Sequence, residues 1–140
     1  WFAERHPGLL DRVAFKGQVS DAELAMLYQS CDLFVAPSLY ESFGLIYLEA
    51  MNFAKPVIGC RAGGIPEVID DGISGSLVDP ASPGQLVQAI LSLLRTPARL
   101  REFGLAGRAR LLERFTHIQM ARAMVEVYRR VISQSSASGA

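Results

Sequence analysis

A chain of 140 residues with 50% hydrophobic and 20% charged side chains has the size and apolar content of one globular domain with a buried core. Its 14 basic and 14 acidic residues cancel, which argues against the basic stripe of a non-specific nucleic-acid binder. No apolar run approaches the ~18 residues of a membrane span, and residues 1–7 hold no signal-peptide apolar region.

In chain order, residues 1–12 read as a helix that leads straight into a strand at Val13, Ala14 and Phe15. No opening strand precedes it, so the chain is expected to begin partway through its domain. Ser20 and Glu23 have capping-box spacing in front of a helix over residues 21–30, with Leu24, Leu27, Tyr28 and Cys31 on one face. A strand over 32–36 is followed by a helix over 44–53, a strand over 57–60, a short helix over 65–69 and a strand over 76–79. Pro83 after Ser82 signals the next helix start, with Gln85 placed to reach back and an apolar face of Leu86, Ala89, Ile90, Leu93 and Leu94. Thr96 and Pro97 open another helix, and Thr116 with Gln119 caps the last. The stripe of Met120, Met124, Val127, Tyr128 and Val131 reads as core or as an interdomain contact rather than a cofactor box. Residues 133–140 are small and polar and read as a disordered tail behind a domain of residues 1–132.

The strand segments show little alternation, as strands covered on both faces do. With helices between them, they predict an α/β fold with a Rossmann-like parallel sheet and right-handed crossovers. Ligands of such sheets bind beyond the carboxyl ends of the strands. Three segments therefore line one predicted crevice: residues 16–20, residues 37–44, and residues 61–67 with the pair Gly63 and Gly64.

The middle segment runs into a helix near Gly44. A first helical turn has unsatisfied N–H groups and about half a positive charge, and glycine lets an anion come close. Glu41 and Glu49 flank this start. Helix rise separates positions eight apart by up to ~12 Å, beyond the ~5–9.5 Å of a glycosidase carboxylate pair. The spacing suits two carboxylates that hold hydroxyls at opposite ends of a sugar diphosphonucleotide; chance surface glutamates remain the alternative. Glu49 also lies beside the apolar stripe, where a carboxylate needs a partner. Gly63 and Gly64 read as a simple turn more readily than as a binding loop. Lys16 and Arg61 either offer charge to phosphates or are solvated. Cys31 and Cys60 lack metal-ligand spacing and read as reduced, buried thiols, and His6 and His117 as structural or exposed.

Residues 37–51, PSLYESFGLIYLEAM, closely resemble the retaining glycosyltransferases of family four, which have the GT-B architecture of two Rossmann-like domains facing across a cleft. The resemblance extends through FKGQVSD (residues 15–21), KPVIGCRAGGIPEVIDDGISGSLVDP (55–80) and RFTHIQMARAMVEVY (114–128). It implies a C-terminal, donor-binding domain. Glu41 is implied as the catalytic glutamate that meets donor-sugar hydroxyls, and Ser42, Phe43, Gly44 and Leu45 as the turn whose amides hold sugar and diphosphate. Glu49 is implied for the ribose hydroxyls, and Gln18 and Val19 for the backbone that frames the base.

The implied reaction transfers a sugar from a nucleotide-diphosphate sugar to an acceptor hydroxyl with retention, using no metal and no cofactor. Ile46, where many members have Pro, and His117, where Trp is common, depart from the pattern. Basic residues for the diphosphate and the acceptor domain are expected outside this chain, which alone should be inactive. A cytoplasmic setting follows, with any membrane contact peripheral. A non-catalytic nucleotide-sugar-binding or scaffolding module, and a GT-B sugar-nucleotide epimerase, stand as alternatives.

Overall fold

The sheet is parallel and three-stranded, in the order β1 (Phe34–Val35), β2 (Val57–Cys60) and β3 (Ser76–Val78), in a computed structural model that describes residues 2–137. Phe34 pairs with Val57 and Val35 with Ile58, and β2 continues from Ile58↔Ser76 to Cys60↔Val78. Parallel neighbours need crossovers. The helices α3 (Leu45–Asn52) and α4 (Ile65–Val68) supply them.

All four residues of β2 are buried. Val57 joins Tyr47, Met51, Ile65 and Val68 in one apolar cluster, whereas Ile58 and Cys60 join Val78, Leu93 and Phe103 in another. Alternate β2 side chains thus feed two clusters, as the expected fold requires, and the unbroken apolar run follows from that.

Of the outer elements, α2 (Asp21–Ser30) starts at Ser20, whose Oγ accepts the Glu23 N–H at 3.3 Å. In the second cluster, α5 (Pro83–Leu94) buries Leu93 and α6 (Pro97–Arg114) buries Phe103. The last helix, α7 (His117–Ala137), is capped by Thr116, whose Oγ1 accepts the Gln119 N–H at 3.3 Å.

Several expectations need correction. Val13, Ala14 and Phe15 form no strand: Phe15 is 72% exposed, and among the described residues no strand pairs with them. A strand exists only as part of a ladder, so an apolar triplet without a partner stays irregular. The opening helix is broken into α1 (Phe2–Arg5) and a 3-10 turn over Pro7–Arg12. Pro7 has no N–H to give and pushes His6 out of the helical region, to φ −135. Gln85 does not reach back to Ser82; its side chain instead accepts the Asp79 N–H and donates to the Asp79 carboxylate, both at 2.9 Å. Helix runs through Ala137, into the segment of residues 133–140 expected as a disordered tail, of which residues 138–140 lie outside the described residues. The α7 stripe is not core either, since Met120, Met124, Val127, Tyr128 and Val131 are 46% to 61% exposed.

Candidate functional site

Beyond β1 the chain crosses the end of the sheet and turns into α3 at Gly44. Tyr47, fully buried, donates its phenol to the Ala36 carbonyl at 2.6 Å and ties the helix start back to the strand end. Burial raises the pKa of that phenol, which keeps it a donor. Gly44 has φ 100, and a Cβ there would stand 2.8 Å from Tyr47 Cδ2. Only glycine closes this turn. Among the described residues the N–H groups of Gly44, Leu45 and Ile46 have no protein acceptor. They sit at the positive end of the α3 dipole.

The glycine pair shapes the same place. The Gly64 N–H donates to the Glu41 carbonyl at 2.9 Å. A Cβ on Gly63 would collide with that carbonyl oxygen, and one on Gly64 would come within 2.5 Å of the Ser42 oxygen. The pair serves as the turn into α4 and also as a corner on which the Glu41 turn rests. Two of the three predicted segments are therefore joined backbone to backbone.

Glu41 is half-buried, and among the described residues its carboxylate has no hydrogen-bond or ion-pair partner. Glu49 is exposed rather than embedded in the apolar stripe. Its partner is neutral: the Tyr28 phenol donates to Glu49 Oε2 at 3.0 Å. Tyr28 is held between Phe34, at 5.5 Å, and Phe53, stacked at 5.9 Å. Burial first, and then the bond to Glu49, pushes the Tyr28 pKa up, so the phenol stays protonated. Glu49 opens onto a cavity of about 280 Å³ between α2 and α3, lined also by Asp21, Leu24, Tyr28, Asn52 and Phe53.

The other predicted residues are placed less tightly. Ser42, Phe43 and Leu45 are exposed on the turn, and Phe43 meets Phe115 edge-on at 6.0 Å. Gln18 is exposed and Val19 half-buried in the loop before α2, and neither shares a hydrogen bond with the Glu41 turn among the described residues. The segment of residues 16–20 is thus not joined to the other two; of the chain that follows it, Asp21 and Leu24 of α2 border the Glu49 cavity. Arg61 is engaged by Asp71 at 2.9 Å and Asp79 at 3.7 Å, and Lys16 by Glu23 at 3.7 Å. A second, apolar cavity of about 200 Å³ at the strand ends is bordered by neither glutamate.

Sequence reasoning counted Tyr28 as part of an apolar face and gave Tyr47 no role. A tyrosine inside an apolar run carries a hydroxyl that must find an acceptor, and that signal pointed to both. Cys31 is half-buried and Cys60 buried, both as free thiols, and burial raises both pKa values, which leaves them poor nucleophiles. Among the described residues no group of three or more His, Cys, Asp or Glu could hold a metal ion, and no helix is long and apolar enough to cross a membrane.

Residues 5–110 match the family described as glycosyl transferases group 1, and the chain belongs to that family. It is 40% identical over 111 residues to alpha-maltose-1-phosphate synthase of Mycolicibacterium smegmatis, covering 75% of this chain and 29% of that one. It is 39% identical over 131 residues to MMP alpha-(1->4)-mannosyltransferase of Mycolicibacterium hassiacum, covering 93% and 32%. Sucrose-phosphate synthase from Thermosynechococcus elongatus superposes with a TM-score of 0.82 at 34% identity, over 95% of this chain and 33% of that one. Anabaena HepE, solved in complex with UDP-glucose, does so at 0.78 and 28% identity, over 91% and 36%. The fold is thus that of one Rossmann-like half of the GT-B glycosyltransferases. The chain spans about a third of the length of these curated relatives.

Proposed function

We propose that this chain is the donor-binding half of a retaining glycosyltransferase that uses a nucleoside diphosphate sugar. The observation that carries the reading is the α3 start: among the described residues its amides lack acceptors behind a left-handed glycine, with Glu41 three residues ahead of Gly44 and Glu49 within α3 itself. Ionised carboxylates accept hydrogen bonds from hydroxyls. Glu41 takes those of the donor sugar, next to the reacting carbon, and Glu49 takes those of the ribose. Ser42, Phe43, Gly44 and Leu45 present amides to the sugar and diphosphate, and Gln18 and Val19 frame the base.

In the reaction the acceptor oxygen bonds to the anomeric carbon on the face that the diphosphate leaves, the bond from that carbon to the diphosphate oxygen breaks, and the acceptor's hydroxyl proton passes to the departing diphosphate. Negative charge grows on the departing diphosphate, and the helix start stabilises it without a metal or cofactor. The acceptor site and further cations for the diphosphate are supplied by residues outside this chain, so the chain alone transfers no sugar. The UDP-glucose complex of the Anabaena neighbour supports a nucleotide sugar as donor.

Calorimetric titration with UDP-, GDP- and ADP-sugars tests the assignment, with Glu49→Ala as control. A hydrogen bond to a charged group contributes about 1.5–3 kcal/mol, so the variant should bind at least about tenfold more weakly. Equal affinity of variant and parent would overturn the reading.

A further inference from the structure

Arg110 lies on none of the segments that form the donor site, yet it grips the element beneath one of them. On α6, Gly104 and Gly107 allow close packing: a Cβ at the first would collide with the Ala54 carbonyl, and one at the second would stand 3.0 Å from Met51 Cγ on α3. One turn further on, Arg110 Nε donates to the Val68 carbonyl at 2.8 Å and Nη2 to the Glu67 carbonyl at 2.9 Å. Nη1 stands 3.7 Å from the Asp70 carboxylate, and the side chain is only 17% exposed. The two carbonyls are the last of α4, where a helix runs out of its own donors. A guanidinium supplies two N–H groups in a fixed fork.

Helix α4 is four residues long, too short to hold itself. It is held at both ends instead. Arg110 takes its last carbonyls, and Gly64 at its start holds the Glu41 carbonyl. A second route runs through rings: the Arg110 guanidinium lies 5.9 Å from the centre of Phe115, which meets Phe43 of the donor turn. Glu49, by contrast, is anchored by Tyr28 from α2.

We propose that Arg110 is a positioning residue for the donor sugar: by fixing α4 it sets the glycine corner against the Glu41 turn, and leaves the nucleotide end to Tyr28 and Glu49. This rests on the donor-binding reading above. The site is then built in two separately supported halves, and their affinities are separable.

The test compares a sugar nucleotide with its diphosphate in the full-length protein: UDP-glucose against UDP, or GDP-mannose against GDP where the parent binds guanine. Arg110→Met keeps an apolar stem and removes all donors. Arg110→Lys keeps the charge beside Asp70 but cannot span both carbonyls. Arg110→Met should weaken the sugar nucleotide about tenfold and the diphosphate by less than about twofold, with Arg110→Lys intermediate.

Equal weakening of both ligands would reduce Arg110 to a structural residue and overturn the proposal, as would no change in either. Should Arg110→Met fail to fold by circular dichroism, the Lys variant decides: an unchanged ratio of sugar-nucleotide to diphosphate affinity refutes the idea. Glu49→Ala separates the two levels. If it loses UDP affinity while the Arg110 variants keep the parental ratio, the positioning role alone falls. If it binds UDP as the parent does, the donor-binding reading falls and takes this inference with it.

Discussion

Tyr28→Phe removes one hydroxyl and leaves the ring stacked on Phe53 and tilted against Phe34. What disappears is the 3.0 Å bond to Glu49 Oε2 and the longer 3.5 Å contact with the Ile46 carbonyl. Hydrogen bonds to charged groups contribute about 1.5–3 kcal/mol. Glu49 is exposed, which favours the lower figure, and part of it appears as lost stability rather than lost affinity. The expected result is an affinity for the nucleoside diphosphate lower by about three- to tenfold. A 2′,3′-dideoxy analogue offers Glu49 no hydroxyls, so parent and variant should bind it alike. Calorimetry with both ligands reads the difference. Parental affinity of Tyr28→Phe for the ribonucleotide would refute the reasoning, and so would an equal loss for both ligands.

Burial of the same phenol, and after it the bond to Glu49, give a pH signature with a definite sign. The folded state raises the Tyr28 pKa above its ordinary value of 10.0. A raised pKa stabilises the fold fully below the unfolded value, and that contribution is lost as pH rises from about 10 through the folded value. Denaturant titrations at neutral pH and above pH ~10 should therefore show the parent losing stability that Tyr28→Phe has no phenol to lose.

Two further substitutions probe the other end of the site. Gly63→Ala forces a side chain onto φ +52 and against the Glu41 carbonyl; unfolding stability should fall by at least about 1–3 kcal/mol, with sugar-nucleotide affinity dropping more than diphosphate affinity. Tyr47→Phe deletes the 2.6 Å bond to Ala36 and leaves a carbonyl unpaired beneath the turn; a loss of about 1–3 kcal/mol in denaturant unfolding is expected, and no loss would show that the turn closes without it.

What was legible in the sequence follows from how local each signal is. Helix α2 and strand β2 stand where their residues predict them, because Ser20 caps the one and both faces of the other are apolar. Val13, Ala14 and Phe15 mislead, since pairing is a property of two strands and the triplet records only one. The Glu41–Gly44 turn and its helix were legible as strand, glycine, helix. The glycine corner was not: a contact of backbone on backbone leaves no trace except the glycines themselves, which every simple turn also uses. Arg110 is one of five arginines on α6, with Arg99, Arg101, Arg108 and Arg114. Their spacing does not tell which one meets two carbonyls.

The electrostatics of the site explain why the partner of Glu49 is a phenol. A cation there would hold the carboxylate more firmly, but it would also neutralise the charge that makes Glu49 a strong acceptor for hydroxyls. Tyr28 fixes one oxygen and leaves the charge in place. The two basic side chains that the sequence offers to phosphates are similarly spoken for, Arg61 by Asp71 and Asp79 and Lys16 by Glu23. Under the proposed function the α3 start is a positive element for the donor, worth about half an elementary charge, against a full negative charge on each phosphate. That shortfall is why we assign the remaining cations to residues outside this chain.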